Sequence, residues 1–197
     1  MAHRIETLDA LVLGGMPVGE AHRSIDLLTP QLGRIRAVAR SVRHEKSKLR
    51  FALQDFSHIK VSLVRGREVW RIVGAISYSN FYTDLGNRAH ERDIVARLSA
   101  LMRRLLPGEE ENEELFSIVC DALTFLKETK FSESDIRDFE CLTVLRILHN
   151  LGYLARDAQN ASFLDTEITT AELISRISPL RLEMVKCINT SLHESQL

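Results

Sequence analysis

Residues 34–40 read RIRAVAR. In an extended chain Ile35, Ala37 and Ala39 fall on one face, and Arg34, Arg36, Val38 and Arg40 on the other. A period of two, with small apolar residues inward and arginines outward, defines a half-buried β-strand. The same grammar recurs on both sides. TLDALVLGG (7–15) is apolar and rich enough in branched residues for a strand ending at Gly14-Gly15. HRSIDLLTP (22–30) runs into a turn at Thr29-Pro30 that QLG continues. HIKVSLVRG (58–66) and REVWRIVGAISY (67–78) form a hairpin around Arg65-Gly66-Arg67. About five antiparallel strands in this span suit a small closed barrel of the OB type. An SH3-like barrel would give nearly the same pattern.

Beyond residues 77–87 the alternation fades and a helical period replaces it. In 88–106, Ile94, Leu98, Leu101, Met102 and Leu105 share one face, and Pro107-Gly108 stops the helix. GEEENEE (108–114) then sets carboxylates at the next helix start, where the macrodipole favours them. That helix would bury Phe116, Val119, Leu123 and Leu126. A third starts near Ser132, buries Ile136, Phe139, Leu142, Leu145 and Leu148, and ends at NLGY with Gly152 in the left-handed C′ position. Thr169-x-x-Glu172 reads as a capping box for a fourth. Ser178-Pro179 reads as N-cap and N1 of a last helix with Met184, Val185, Ile188 and Leu192 inward. The expectation is an α+β chain: a five-stranded barrel domain over 1–80 and an all-helical domain over 81–197.

The formal net charge of −1 hides an asymmetry. Residues 1–76 hold 13 Lys and Arg against 7 Asp and Glu, a net +6; residues 77–197 hold 13 against 20, a net −7. One half therefore suits an anionic partner. The positive charge concentrates in ARSVRHEKSKLR (39–50), where Arg40, Arg43, Lys46, Lys48, Arg50 and His44 face one acid, Glu45. With Arg34 and Arg36 on the preceding strand, these cations make a stripe that can track a phosphate backbone. The bland alternative is a solvated charge run. Phe51, Phe56 and Trp70 are near enough in sequence to supply a stacking face, and one exposed ring among the three is expected.

Other chemistry is weakly represented. No phosphate-binding glycine loop, GxSxG elbow or HExxH pair occurs. Cys120, Cys141 and Cys187 are far apart in apolar helical patterns, so three buried thiols are expected rather than a disulfide frame or zinc site. Cys141 and His149 lie about 11–12 Å apart along a helix axis, too far to act as nucleophile and base. His149 reads as structural. No catalytic residue, metal or cofactor is expected. No apolar run is long enough to span a bilayer. MAHRIETLDALVLGG (1–15) lacks the pattern of a secretory leader, so a cytoplasmic location is expected.

The run from Ile25 to Ile72 resembles the N-terminal domain of the RecO family of bacterial recombination mediators. The resemblance rests on Gly19-Glu20, LLTPQLG (27–33) leading into RAVAR (36–40), KSKLR (46–50), LQDF (53–56) and RGRE (65–68). It extends to ELFSIVCDALTFL (114–126) and FECLTVLRILHNLGY (139–153), and is strongest over residues 20–73. It implies an OB-fold followed by helices, and a non-enzymatic DNA-repair mediator. Such a protein binds single- and double-stranded DNA, anneals complementary strands and helps RecA displace the single-strand binding protein SSB. It implies RecR and the acidic SSB C-terminal tail as partners, no membrane, and a nucleoid-associated location. Arg34, Arg36, Arg40, Arg43, Lys46, Lys48 and Arg50 would then hold DNA. The SSB tail needs a basic rim around an apolar pocket, and Arg103, Arg104, Lys127, Lys130 and Arg137 are the local basic clusters that could supply it. Many members insert a four-cysteine zinc module after LGY; here LARDAQNASFLDTE (154–167) follows without cysteine, so no zinc is expected. A missing module would also make the chain short for the family. The rival expectation is an adaptor of the same fold that docks RecR or the SSB tail without binding DNA.

Overall fold

The computed structural model describes residues 4–164 and 169–195. Five strands, β1 (Ile5–Val18), β2 (His22–Thr29), β3 (Gly33–Ala39), β4 (Ser57–Arg65) and β5 (Trp70–Asn80), close into a barrel in the order β1-β2-β3-β5-β4. Neighbours are antiparallel except β3 and β5, which run parallel through Ala37–Trp70, Val38–Arg71 and Ala39–Ile72. That parallel closure gives the Greek-key barrel of the OB-fold and removes the SH3-like alternative. Ile35, Ala37 and Ala39 point inward as the alternation of β3 assigned. Ala10, Val12, Ile25, Leu27, Ile35, Ala37, Ala39, Ile59, Val61, Leu63, Trp70 and Ile72 form the core, with Val42 and Leu53 from the β3–β4 connection.

β1 does not stop at Gly14-Gly15 as expected. It pairs with β4 over Ile5 to Leu11 and with β2 from Leu11 to Val18, so one strand serves both neighbours. The turn between the two pairings is a register shift between Val12 and Gly14, with Gly14 at φ +145°. A Cβ there would lie 2.9 Å from the Arg103 guanidinium. The glycine bends the strand around the barrel rather than ending it.

The β4–β5 hairpin is also longer than the expected tight turn at Arg65-Gly66-Arg67. Arg65 pairs with Trp70, and the Gly66 N–H donates to the Val69 carbonyl at 3.0 Å.

The chain divides into two compact units, Met1–Phe116 and Ser117–Leu197. The strands end at Asn80, and the first unit continues through α2 (Phe81–Asp84) and α3 (Ala89–Leu105). α3 buries Ile94, Leu98, Met102 and Leu105, with Leu101 half-buried at the edge of the stripe. α4 (Glu113–Glu128) starts in the first unit and carries the buried residues expected of it. Its cap is the Asn112 side chain, which accepts from the Leu115 N–H at 2.8 Å.

The second unit contains most of α4, then α5 (Glu133–Asn150), α6 (Ala161–Leu164), α7 (Ala171–Ile177) and α8 (Arg181–Glu194). Ser132 caps α5 as expected, by accepting from the Asp135 N–H. Gly152 at φ +75° ends it: the Gly152 N–H donates to His149 O and the Tyr153 N–H to Leu148 O, a Schellman pattern.

Three helix-end details differ from the sequence expectation. Thr170, not Thr169, caps α7, because the Thr169 hydroxyl accepts from buried Arg146 at 3.0 Å. Ser178-Pro179 opens a short 3-10 turn, Ser178–Leu180, and α8 begins only at Arg181 without a side-chain cap. Val185 is 37% exposed rather than inward, while Met184 and Ile188 are buried. Residues 165–168, part of the segment read as lacking a zinc module, lie outside the described residues, as do residues 1–3 of the stretch read for a leader.

Candidate nucleic-acid interface

β3 sets its arginines outward because its alternate residues fill the barrel. The structure then gives each cation a different employment. Arg34 is turned away from solvent. Its guanidinium donates to the Arg103 carbonyl at 2.6 Å and the Leu106 carbonyl at 3.0 Å, and lies 3.4 Å from Asp26. Its side chain is 18% exposed. These are the last carbonyls of α3, where a cation both donates and meets the negative helix end. Arg36 reaches the same carboxylate, Nε to Asp26 Oδ1 at 3.2 Å, and remains 56% exposed. Arg43 donates to the Gly19 and Glu20 carbonyls at 3.2 and 3.1 Å and so holds the β1–β2 turn. Arg40, Lys46, Lys48 and Arg50 are exposed.

The basic run is not a slack tether. Ser41, at φ +54°, redirects the chain as it leaves β3, and its N–H donates to His22 Nδ1 at 3.0 Å. Buried Val42 anchors the start, and the Arg43 N–H donates to Ala21 O at 3.1 Å. Successive turns follow, Ser47 N–H to His44 O and Arg50 N–H to Ser47 O. They lead into the single-turn helix α1 (Leu49–Ala52), which precedes β4. Leu53 then returns to the core, and Arg23 ties the exit by donating to Leu53 O and pairing with Asp55. Both ends are fixed, and the cations stand on the arch between them.

Of the three aromatic rings considered, Trp70 is 4% exposed and Phe51 is 73% exposed. The Trp70 Nε1–H donates to Glu109 at 3.1 Å, and Arg65, itself paired with Glu109, lies over the indole. Phe56 stacks on Tyr82 at 5.4 Å. The one outstanding ring is therefore Phe51.

Sequence reading missed Arg71. The β3–β5 register sets it opposite Val38, between the lines of Arg36 and Arg40, and it is exposed. The alternation Arg71-Ile72 carried the signal that it points outward, but only the parallel pairing brings it to this face. An open pocket of about 270 Å³ is lined by Asp26, Arg34, Ile35, Arg36 and the Pro107–Glu109 turn. Its two arginines are balanced by two carboxylates.

The residues suggested for an SSB tail are divided between the two units. Arg103 and Arg104 are exposed in the last turn of α3, in the first unit. Lys127, Lys130 and Arg137 belong to the second unit, with Lys130 and Arg137 exposed and Lys127 half-buried.

Among the described residues no group of His, Cys, Asp and Glu is placed to hold a metal. His149 Nδ1 lies 3.0 Å from the Leu154 carbonyl. Cys120 and Cys141 are buried, whereas Cys187 is half-buried, contrary to the expectation of three buried thiols. No described helix is long and apolar enough to cross a membrane.

An OB barrel with a basic strand and a basic arch, followed by helices, sets the class of the chain. Residues 1–81 match the family described as recombination protein O N terminal, and through that domain the chain belongs to the RecO family. It is 30% identical over 144 residues to the DNA repair protein RecO of Dehalococcoides mccartyi strain 195, covering 73% of this chain and 55% of the relative. It is 32% identical over 157 residues to that of Roseiflexus sp. RS-1, covering 78% and 52%. It is 30% identical over 150 residues to that of Cellvibrio japonicus, covering 76% and 61%. The matched part spans a little over half the length of these relatives.

Proposed function

We propose that the chain is a DNA-repair mediator whose barrel binds single- and double-stranded DNA through phosphate contacts. The observation that carries this reading is the exposure of Lys46, Lys48 and Arg50 on an arch held at both ends, with Arg40 exposed where β3 ends and Arg71 exposed on β5 opposite Val38. The relatives are named DNA repair proteins, which agrees with it. The mechanism is charge neutralisation. Two strands that repel each other in solution are held on one basic surface, where they pair faster. In this role the chain anneals complementary strands and helps RecA load onto SSB-coated single strands, with RecR and the SSB C-terminal tail as partners. Arg103, Arg104, Lys127, Lys130 and Arg137 remain the residues proposed for the tail. The activity needs no cofactor and no catalytic side chain, and it belongs in the cytoplasm beside the nucleoid.

Arg34, Arg36 and Arg43 are employed within the protein and contribute less to DNA than their charge suggests. That observation favours a second reading, an adaptor that keeps the fold and docks RecR or the SSB tail. Annealing of two complementary strands bearing a donor and an acceptor dye separates the two. The mediator reading expects the protein to accelerate pairing, and the K46A/K48A/R50A variant to lose most of that acceleration. Unchanged pairing rates together with binding to an SSB-tail peptide would establish the adaptor instead.

A further inference from the structure

We infer that Phe51 is a base-stacking platform that distinguishes single-stranded from double-stranded DNA. The inference rests on the DNA-binding reading above and names the side chain that would give it strand selectivity. α1 is a single turn whose rotation is fixed from one side. Leu49 packs against the barrel core, Ala52 is buried, and Leu53 follows directly into the core. Phe51 falls on the opposite side and stands 73% exposed. A ring that far out forfeits the burial that stabilises a core phenylalanine.

The exposed residues just before it are cations: Arg50 is adjacent, and Lys48 and Lys46 precede it on the same arch. A run of cations leading up to an uncovered aromatic ring matches a polyanion that also carries planar faces. A single strand presents both. A duplex presents phosphates but keeps its bases stacked inside. The ring therefore adds affinity only for unpaired bases, while the cations hold either form. For a protein that anneals strands, this contact is lost when the bases pair, so the duplex product is held more weakly than the substrate.

The test compares wild type, F51A and F51L by anisotropy on a labelled oligo(dT) and on a labelled duplex, at two salt concentrations. The expected result is a roughly ten- to hundredfold weaker single-strand affinity for F51A, the range found for one lost base stack. Duplex affinity stays within about twofold of wild type, and the salt slope on single strands is unchanged because the lost contact is uncharged. F51W supplies a direct signal, with its exposed indole quenched by oligo(dT) and not by duplex.

Equal losses on both forms, or none on either, overturn the stacking role while leaving phosphate binding intact. Concentration-dependent self-association of the wild type that F51A abolishes would assign the ring to a second copy of the chain and overturn it as well. Absence of any DNA binding by the folded wild type would overturn both the inference and the reading beneath it.

Discussion

Asp26 lies buried on β2 between Arg34 and Arg36, and its carboxylate decides what those two cations can do. Arg34 is committed to the end of α3, so its removal is a stability change. We expect R34Q to lose ~2 kcal/mol in urea denaturation, the scale of hydrogen bonds made by a charged donor. The folded variant should keep the wild-type salt slope on DNA. Unchanged stability with a shallower slope would place Arg34 on phosphates instead.

Gly33 is held to glycine by its backbone and its surroundings. It sits at φ +61°, and a Cβ there would land on the Glu110 backbone carbonyl. G33A should therefore destabilise by ~1–3 kcal/mol from the strained backbone alone, read as a lowered thermal midpoint. Cys141 makes a chemical prediction. Burial, then Asp138 and Glu140, push its thiol up to about 12, with Arg181 opposing. A raised thiol pKa means that thiolate is scarce at every pH below that value, so alkylation at pH 8 should spare Cys141 until the protein unfolds. Half-buried Cys187 should label first in the native protein. Rapid native labelling of Cys141, located by peptide mass, would contradict this environment.

At the scale of elements, α5 and α8 are joined by a contact with no signature in the periodicity. Asp138, 1% exposed, accepts from Arg181 at 2.8 Å, and Arg181 is itself partly exposed. R181A would leave a buried carboxylate without its cation. We expect a loss of ~3 kcal/mol, the lower end of the range for breaking such a pair because Arg181 keeps some solvent. D138N/R181M, which removes both charges, should recover much of it. Failure of the double variant to recover would mean that the pair acts through other contacts.

This pair shows where sequence reading stops. The strand and helix cores were legible because each residue's side is set by its own period, as Ile35, Ala37 and Ala39 illustrate. Capping was legible at Ser132 and Gly152, where the cap is local. It failed at Thr169 because a residue far along the chain, Arg146, takes that hydroxyl. The end of β1 was misread at Gly14 because a glycine that bends a strand and one that ends it look alike until the second neighbour is known. In the candidate site, the exposure of Arg40, Lys46, Lys48 and Arg50 followed from alternation and loop composition. The internal duties of Arg34 and Arg43, and the arrival of Arg71, depend on partners remote in sequence.

At the scale of the whole molecule, the uneven charge of the two halves acquires a physical meaning. The barrel portion carries the positive excess, and the arch exposes a concentrated part of it. Contacts with phosphates carry no base information. Binding should therefore be indifferent to sequence and strongly dependent on salt. The most direct test of this account is anisotropy of a labelled mixed-sequence single strand, titrated with wild type and with K46A/K48A/R50A at several salt concentrations. Each phosphate neutralised on a single strand contributes about −0.7 to the slope of log affinity against log salt. The account predicts tight, salt-sensitive binding by the wild type, with a variant slope shallower by about 2. A folded wild type that binds with the same slope as the variant, or does not bind at all, would contradict it.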